Sequence, residues 1–528
     1  MAQYLPPTDL KVDAPWFGQF LLEPLEAPVA VELPENWQRI ELNHYRLDIC
    51  PSVPWASATF KGRTVVVLGH AFCGWKRISP EEKALEIASA QWDKTRPILR
   101  EISSLIGRFC IFISGHQALR IIPDPTVSFK VLTGWGNDKG FRAASEIKLL
   151  DATGQFHRNN QGAWGWGAAQ KTFQTLTGWP LEETPLSGVK PIPANHLITD
   201  RFNLEPQRIF PYHKRQELSA EEVKVRMARN WSRAFLNARD AGYELWFPVT
   251  SGQDSRLIAA AAKSAFGEKN PRLYFIEKGE ATPTGRVDRA HVDHLQQQGI
   301  DVAIHPVKTD EEIAALGYNP RRWHSFLGHL THRLPVNNGL HFPARRLYLS
   351  GFTAEVFKDV IESDPVWNGI SAARALRYPN HPIVTGFWTL WLRKFHKRAI
   401  SMGYEPSEFL YWEARMVHFA ANMIHLGNQA MPFASAFNGW TIYELGMALP
   451  KKDRDHHTSR FFQDCTKEWW PELATFPLNP DRRTRTIILL KKLGLYRFYR
   501  PIGQYHRWWK DGWQRRRHER RAGKGILK

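Results

Sequence analysis

From Tyr243 onward the apolar positions switch repeatedly between two periods. Tyr243 to Val249 is a mainly apolar, aromatic segment, which predicts a buried strand, and Leu257 to Lys263 opens a helix. Helix 255–266, strand 272–276, helix 286–298 and strand 301–305 follow in the same alternation, which predicts a parallel sheet with crossover helices. The helix before them begins at a capping box, Ser219-Ala220-Glu221-Glu222. Its residues Val223, Met227, Trp231 and Phe235 recur every fourth position, so it packs by one face.

The earlier chain has a different texture. Residues 1–60 are proline-rich and read as irregular, with strand-like runs such as Val29 to Leu33. Thr64 to Gly69 reads as a buried strand, and Pro80 to Leu105 as a helical stretch opened by Ser79-Pro80-Glu81-Glu82. Strands follow at Gly107–Ile113 and Ala118–Ile122, then a turn at Asp124-Pro125 before Phe129–Leu132. Short strands with tight turns predict an α+β sandwich. The proline-punctuated stretch Leu186 to His196 reads as the loop that closes it, and 368–449 reads as helical. The expected architecture is an α+β amino-terminal sandwich over 1–205. An α/β parallel-sheet domain with a largely helical C-terminal part follows over 206–470, then a basic aromatic tail over 471–528.

Composition supports globular cores, at 43% hydrophobic and 12% aromatic residues. The length of 528 residues exceeds what one core usually serves. Cys50, Cys73, Cys110 and Cys465 lie far apart without metal or redox spacing, which fits structural thiols in a reducing compartment. With no secretory pattern at the start and no long apolar run, the expected location is cytoplasmic, with a peripheral position at the inner face of the membrane as an option that rests on the basic tail. The net charge is +19, but residues 481–528 hold 16 Lys/Arg against 3 Asp/Glu, a balance of +13, leaving +6 for the other 480. Basic and aromatic residues alternate there, as in Tyr496-Arg497-Phe498-Tyr499-Arg500 and Trp508-Trp509-Lys510. The mixture suits an anionic membrane surface; nucleic acid is the less favoured partner, and a solvated basic extension is the plain alternative.

Pro248-Val249-Thr250-Ser251-Gly252-Gln253-Asp254-Ser255-Arg256 carries the chemistry. A strand ending in small hydroxyl and glycine residues and feeding a helix gathers backbone N–H groups at one point, which favours a phosphate. Asp254 would repel a bare anion, so its presence points to Mg²⁺ held between carboxylate and phosphate. The plain alternative is a polar turn with Asp254 or Ser255 as the helix N-cap. Leu347 to Lys358 repeats the arrangement: a short apolar strand, a Ser350-Gly351 turn, then Glu355 on an emerging helix. Two such ends side by side would hold one Mg²⁺ between Asp254 and Glu355; otherwise Glu355 is a first-turn charge favoured by the helix dipole. The 21 histidines include no H-x-x-x-H or H-E-x-x-H pair, so no zinc site is expected.

With both strand ends placed, the sequence resembles the asparagine synthetase-like family. Thr250 to Ser255 stands where that family's ATP-pyrophosphatase domain carries S-G-G-x-D-S, with Ser251 in place of the first glycine. Gly107-Arg108-Phe109 with Asp124 is similar to its amino-terminal strand motif, Gly188 to His196 to its linker, and Arg286 to Gly299 to the helix before its third strand. Met431-Pro432-Phe433 through Leu449-Pro450 is similar to its V-P-F-L-D…L-P segment without the aspartate. Ser350 to Glu355 departs from S-G-x-G-A-D, with Thr353 for glycine, Glu355 for aspartate and Phe352 at the x position. Ala2 stands where glutamine-hydrolysing members carry cysteine, so no glutaminase activity is expected.

The resemblance implies an ATP-dependent ligase that activates a carboxylate as its acyl-adenylate, releases pyrophosphate and forms an amide. Thr250, Ser251, Gly252, Gln253, Asp254, Ser255, Ser350 and Gly351 would hold ATP and pyrophosphate. Asp254 and Glu355 would bind Mg²⁺, and Lys358, Lys451 and Lys452 would assist the leaving group. The substrates would be a small-molecule or peptide/glycan carboxylate and an amine. The alternatives are a lapsed relative kept as a scaffold at the membrane, and an RNA-modifying ATP-pyrophosphatase.

Overall fold

The computed structural model describes residues 2–7, 18–26, 31–91, 95–115, 118–159, 182, 184–200, 205–267, 270–277, 283–306, 345–361, 368–376, 378, 382–428, 431–478, 482–496, 498–499, 502 and 509. The strand-like run expected at 29–33 lies partly outside these residues.

Through residue 208 the strands are β1 (Ala2–Leu5), β2 (Phe20–Pro24), β3 (Gln38–Leu42), β4 (Tyr45–Ile49), β5 (Trp55–Phe60), β6 (Arg63–Cys73) and β7 (Leu105–Ser114). Then come β8 (Leu119–Pro123), β9 (Leu132–Trp135), β10 (Phe141–Ala144), β11 (Lys190–Pro191), β12 (His196–Thr199) and β13 (Gln207–Arg208). They form a seven-stranded sheet, β1-β5-β6-β7-β8-β12-β13, and a six-stranded one, β11-β9-β10-β2-β4-β3. Their strand pairings are antiparallel.

Alternation divides each strand between two cores. Val66, Leu68, Cys110 and Phe112 meet Phe20, Leu22, Leu47 and Ile49 between the sheets. Val65, Val67, Ile111 and Ile113 face outward onto α1 (Pro80–Ser89), α2 (Thr95–Ser103) and helices from beyond residue 380. β7 is buried along its whole length, which is why it reads as unbroken apolar sequence. α3 (Ile147–Ala152) covers the far face of the six-stranded sheet.

The region to residue 60 is therefore stranded where irregularity was expected. Its strands are short and mixed in composition; β3 and β4 turn at Asn43, whose φ is +53°. The helical stretch 80–105 is two helices: the first ends where Ala90 turns extended, and the second opens with Pro97 in its first turn, where a missing N–H costs nothing. Residues 129–131 are not a strand; β9 begins at Leu132. The four cysteines are buried free thiols.

The second half is built on a parallel sheet of β14 (Glu244–Pro248), β15 (Arg272–Glu277), β16 (Val302–Pro306), β17 (Arg346–Ser350) and β18 (Phe433–Ser435). Across the sheet the order is β16-β15-β14-β17-β18. α4 (Ala220–Asp240), capped by Ser219 and Glu222 as its sequence predicts, packs Trp231 and Phe235 against Phe247 and Leu257. α5 (Gln253–Phe266) and α6 (Pro283–Gln297) are the crossovers. β18 breaks the stretch 368–449 that reads as helical. Among the described residues the rest of that stretch includes helices Gly369–Ala375, Pro382–Ser401, Pro406–Leu410, Ala420–Gly427 and Trp440–Ala448. Phe72 and Ile106 of the seven-stranded sheet lie in the same apolar cluster as Trp231, Phe247 and Ala434, so the two halves share a core.

Candidate functional site

In chain order the parallel strands run third, second, first, fourth, fifth across the sheet. The direction of winding reverses between β14 and β17, and a crevice opens beyond the carboxyl ends of the strands at such a reversal. The two loops singled out in the sequence leave those two ends.

The first loop is shaped by its own hydroxyls and by buried partners. Gly252 is the extended N-cap of α5 with no side-chain cap, so the helix starts at Gln253, earlier than the turn reading places it. The first-turn N–H groups then have no acceptor inside the helix. Thr250 Oγ1 accepts from Gly252 N at 3.1 Å and donates to Ser255 Oγ at 3.0 Å. Ser251 donates its N–H and its hydroxyl to Asp288 Oδ1, at 2.8 and 2.6 Å. That N–H is thus committed to α6, not to a ligand.

Arg256, 2% exposed, gathers carbonyls from two segments. It donates to Thr250 O and Ser251 O of the loop at 3.5 and 3.2 Å, and to Leu473 O, Phe476 O and Pro477 O at 3.1, 2.6 and 3.0 Å. Burial pulls the guanidinium down to about 10. His291 Nδ1 lies 3.0 Å from Thr250 O. Burial, then the Arg256 charge, hold that imidazole at about 3, so it is neutral with its proton on Nδ1 toward the carbonyl. The loop carbonyls are turned into the protein, and the helix-start N–H groups are left for the crevice. Gln253 Nε2 donates to Thr458 O at 3.2 Å.

The second loop touches the first at Gly351. A Cβ there would lie 2.9 Å from both Asp254 Cβ and Ser255 N, so a side chain would wedge the loops apart. Thr353, where the resembled pattern has glycine, keeps a left-handed φ of +71°. This costs a β-branched residue of the order of 1–3 kcal/mol. Buried packing and a 3.1 Å contact between Thr353 Oγ1 and Ser435 Oγ hold it there. Glu355 follows in a single 3₁₀ turn, Ala354–Phe357, not in a full helix.

Across the contact, Lys358 forms an ion pair with Asp254. Burial, then the Asp254 charge, push the Glu355 carboxyl up to about 7, against the pull of Lys358. Glu355 Oε2 is buried with no hydrogen-bond partner, as is Ser350 Oγ at the tip of β17. Orphaned buried oxygens beside a second carboxylate suit a cation. Among the described residues no group of three or more His, Cys, Asp or Glu side chains gathers, so such a cation would need further ligands from substrate or water.

The structure therefore brings Thr250, Ser251, Gly252, Gln253, Asp254, Ser255, Ser350, Gly351, Glu355 and Lys358 to one place. Lys451 pairs with Glu405 and Lys452 is exposed, and the charges felt at Glu355 are those of Asp254 and Lys358. From that segment it is Arg454 that reaches the second loop, donating to Val356 O at 3.1 Å. Asp288 and His291 left no signal in the sequence, because they lie in the middle of α6 and reach the loop only through the fold. Phe352 packs against the rings of Phe419 and Phe433.

No protein-family model matches the chain, and no curated protein matches it. Several solved structures are loosely similar, three of them as follows. Glutamine phosphoribosylpyrophosphate amidotransferase from B. subtilis complexed with ADP and GMP has a TM-score of 0.24 and 10% identity, over 58% of this chain and 81% of that one. A structure described as the allosteric regulatory enzyme of purine biosynthesis has a TM-score of 0.24 and 10% identity, over 58% and 80%. Glutamine-dependent NAD+ synthetase from Acinetobacter baumannii in complex with ADP has a TM-score of 0.15 and 11% identity, over 30% and 34%. Likenesses this loose carry no weight for fold or function.

Proposed function

We propose that the chain is an ATP-dependent carbon–nitrogen ligase. A carboxylate attacks the α-phosphate of ATP, pyrophosphate leaves, and an amine displaces AMP from the acyl-adenylate to give an amide. The observation that carries this reading is the meeting of the two loops at the point where the sheet reverses. There an uncapped helix start faces Asp254, Glu355 and Lys358.

In this reading the Gln253, Asp254 and Ser255 N–H groups receive the pyrophosphate oxygens, with help from the Ser255 hydroxyl, which Thr250 orients by donating to it. Asp254 and Glu355 hold Mg²⁺, which supplies neutralising charge on the leaving group. Lys358, already at Asp254, adds its ammonium to the same end. Phe352 transfers no proton, so deprotonation of the amine falls to another group. The four thiols are buried in the cores, which supports an amine drawn from ammonia or a second substrate and not from glutamine hydrolysis. The carboxylate belongs to a small molecule, a peptide or a glycan.

The test is exchange of labelled pyrophosphate into ATP, driven by the small-molecule fraction of a cell extract. Asp254→Ala is expected to reduce exchange by about 100-fold or more; exchange at the wild-type rate sinks the reading. The Lys358–Asp254 ion pair favours one other reading, a lapsed relative in which the ammonium fills the cation's place. Calorimetric titration separates the two, because the lapsed protein binds ATP without any dependence on Mg²⁺.

A further inference from the structure

Residues 482–492 form α7 (Arg482–Lys492), which rests on the body by one side. Ile487 is buried, and Lys491 forms an ion pair with Asp455 and lies over the Tyr496 ring at 5.1 Å. Asp455 is itself fixed, accepting from His457 N and Thr458 N at 3.0 and 2.8 Å. Leu489 of the helix is 56% exposed, and past the helix Leu493 is 60% exposed, Phe498 59%, Ile502 70% and Trp509 54%. Seven of the fourteen large apolar side chains exposed among the described residues lie between 489 and 509. Over 482–510 the sequence carries nine Lys/Arg and no acidic residue.

We infer that this surface is a docking face for an anionic lipid bilayer, lying in the headgroup region with its aliphatic and aromatic side chains inserted. This stands independently of the reaction proposed for the loops. The occupant follows from chemistry. A second copy of the chain would set one cationic sequence against another. Nucleic acid would meet the charges but would leave Leu489, Leu493 and Ile502 without an apolar partner. A bilayer with anionic headgroups meets both demands, and interleaved cations and aromatics bind such a surface together. Among the described residues no helix is long and apolar enough to cross a membrane, so the helix lies along the surface.

Flotation of the full chain with vesicles tests this. The protein is expected to float with vesicles of phosphatidylcholine mixed with phosphatidylglycerol and not with phosphatidylcholine alone. Affinity is expected to fall roughly tenfold when ionic strength rises from about 0.1 M to 1 M. The triple variant L493D/I502D/W509D is expected to lose at least about tenfold in binding, with its melting temperature and nucleotide binding unchanged. If the triple variant unfolds, L493S alone is measured and is expected to bind several-fold more weakly. Equal flotation with both vesicle types overturns the inference, as does full binding by the variants. Tighter binding to single-stranded RNA than to the anionic vesicles overturns it too, as does a dimer in light scattering that L493S dissolves.

Discussion

A methyl group added to Gly107 would sit 2.0 Å from the His70 carbonyl oxygen, at a backbone φ of +133°. Both residues belong to the central strand pair of the sandwich, so neither can move alone. Gly107→Ala is expected to destabilise the protein by about 3 kcal/mol or more in chemical denaturation; a loss below about 1 kcal/mol contradicts the packing described. Lys130 gives a pH-dependent counterpart. Its ammonium is buried with a hydrogen bond to Val417 O at 3.2 Å, and burial draws it down to about 7 against Asp124 and Glu146. A lysine bound less tightly to its proton in the fold than in the unfolded chain destabilises the fold below about pH 7, and the penalty fades toward pH 10.5. Lys130→Met is therefore expected to stabilise by about 3 kcal/mol near pH 6 and by almost nothing near pH 10, read from denaturation at the two values. A gain independent of pH would mean that packing, not charge, is responsible. Asp124 shows how far single residues can be read. Its association with Gly107-Arg108-Phe109 enters through the resemblance alone, and in the structure Phe109 N donates to Asp124 Oδ2 at 3.4 Å. That its carboxylate also receives Asn438 Nδ2 at 2.7 Å is not visible in the sequence, because that partner lies more than three hundred residues away.

Among elements, legibility followed the range of the forces that form them. The helices at 80 and 220 carry capping boxes, which are local, and both begin where Ser79 and Ser219 place them. β18 has three residues and no periodicity of its own; it is a strand because Phe433 to Ser435 pair with Tyr348 to Ser350. The loop before α5 was legible as a strand-to-helix turn of small hydroxyl and glycine residues. What shapes it was not, since Asp288, His291 and the carbonyls of 473–477 come from elsewhere in the chain. In the proposed reaction Arg256 would be a positioning residue, acting on ligand only through the loop carbonyls it holds. Arg256→Lys is expected to weaken Mg·ATP binding by about tenfold in calorimetry, and Arg256→Met by more, because an ammonium cannot reach five carbonyls spread around a planar fork. Normal affinity in the Met variant would remove Arg256 from the site's support.

At the scale of the molecule, antiparallel sheets and a parallel sheet with helices are both present, as expected. The joint between the two was hidden. Asn438, in the turn after β18, binds Gly107 through both its backbone and its side chain, and Trp412 donates to Pro125 O at 2.9 Å. Sequence periodicity marks the faces of an element as apolar but not the partner that covers them, and here the outer face of the first sheet is covered largely by the second half of the chain.

The Arg256 cluster also sets where the chain can be shortened. Three of the five carbonyls that satisfy the buried guanidinium belong to Leu473, Phe476 and Pro477. A protein ending just after Pro477 keeps them all and sheds the cationic tail. One ending before Leu473 strands a buried cation beneath the loop, at a cost of about 3 kcal/mol or more. Stepwise carboxy-terminal truncation should therefore leave Mg·ATP affinity level down to residue 478 and drop it abruptly within the next few residues; a gradual decline would mean that the loop draws its rigidity from elsewhere.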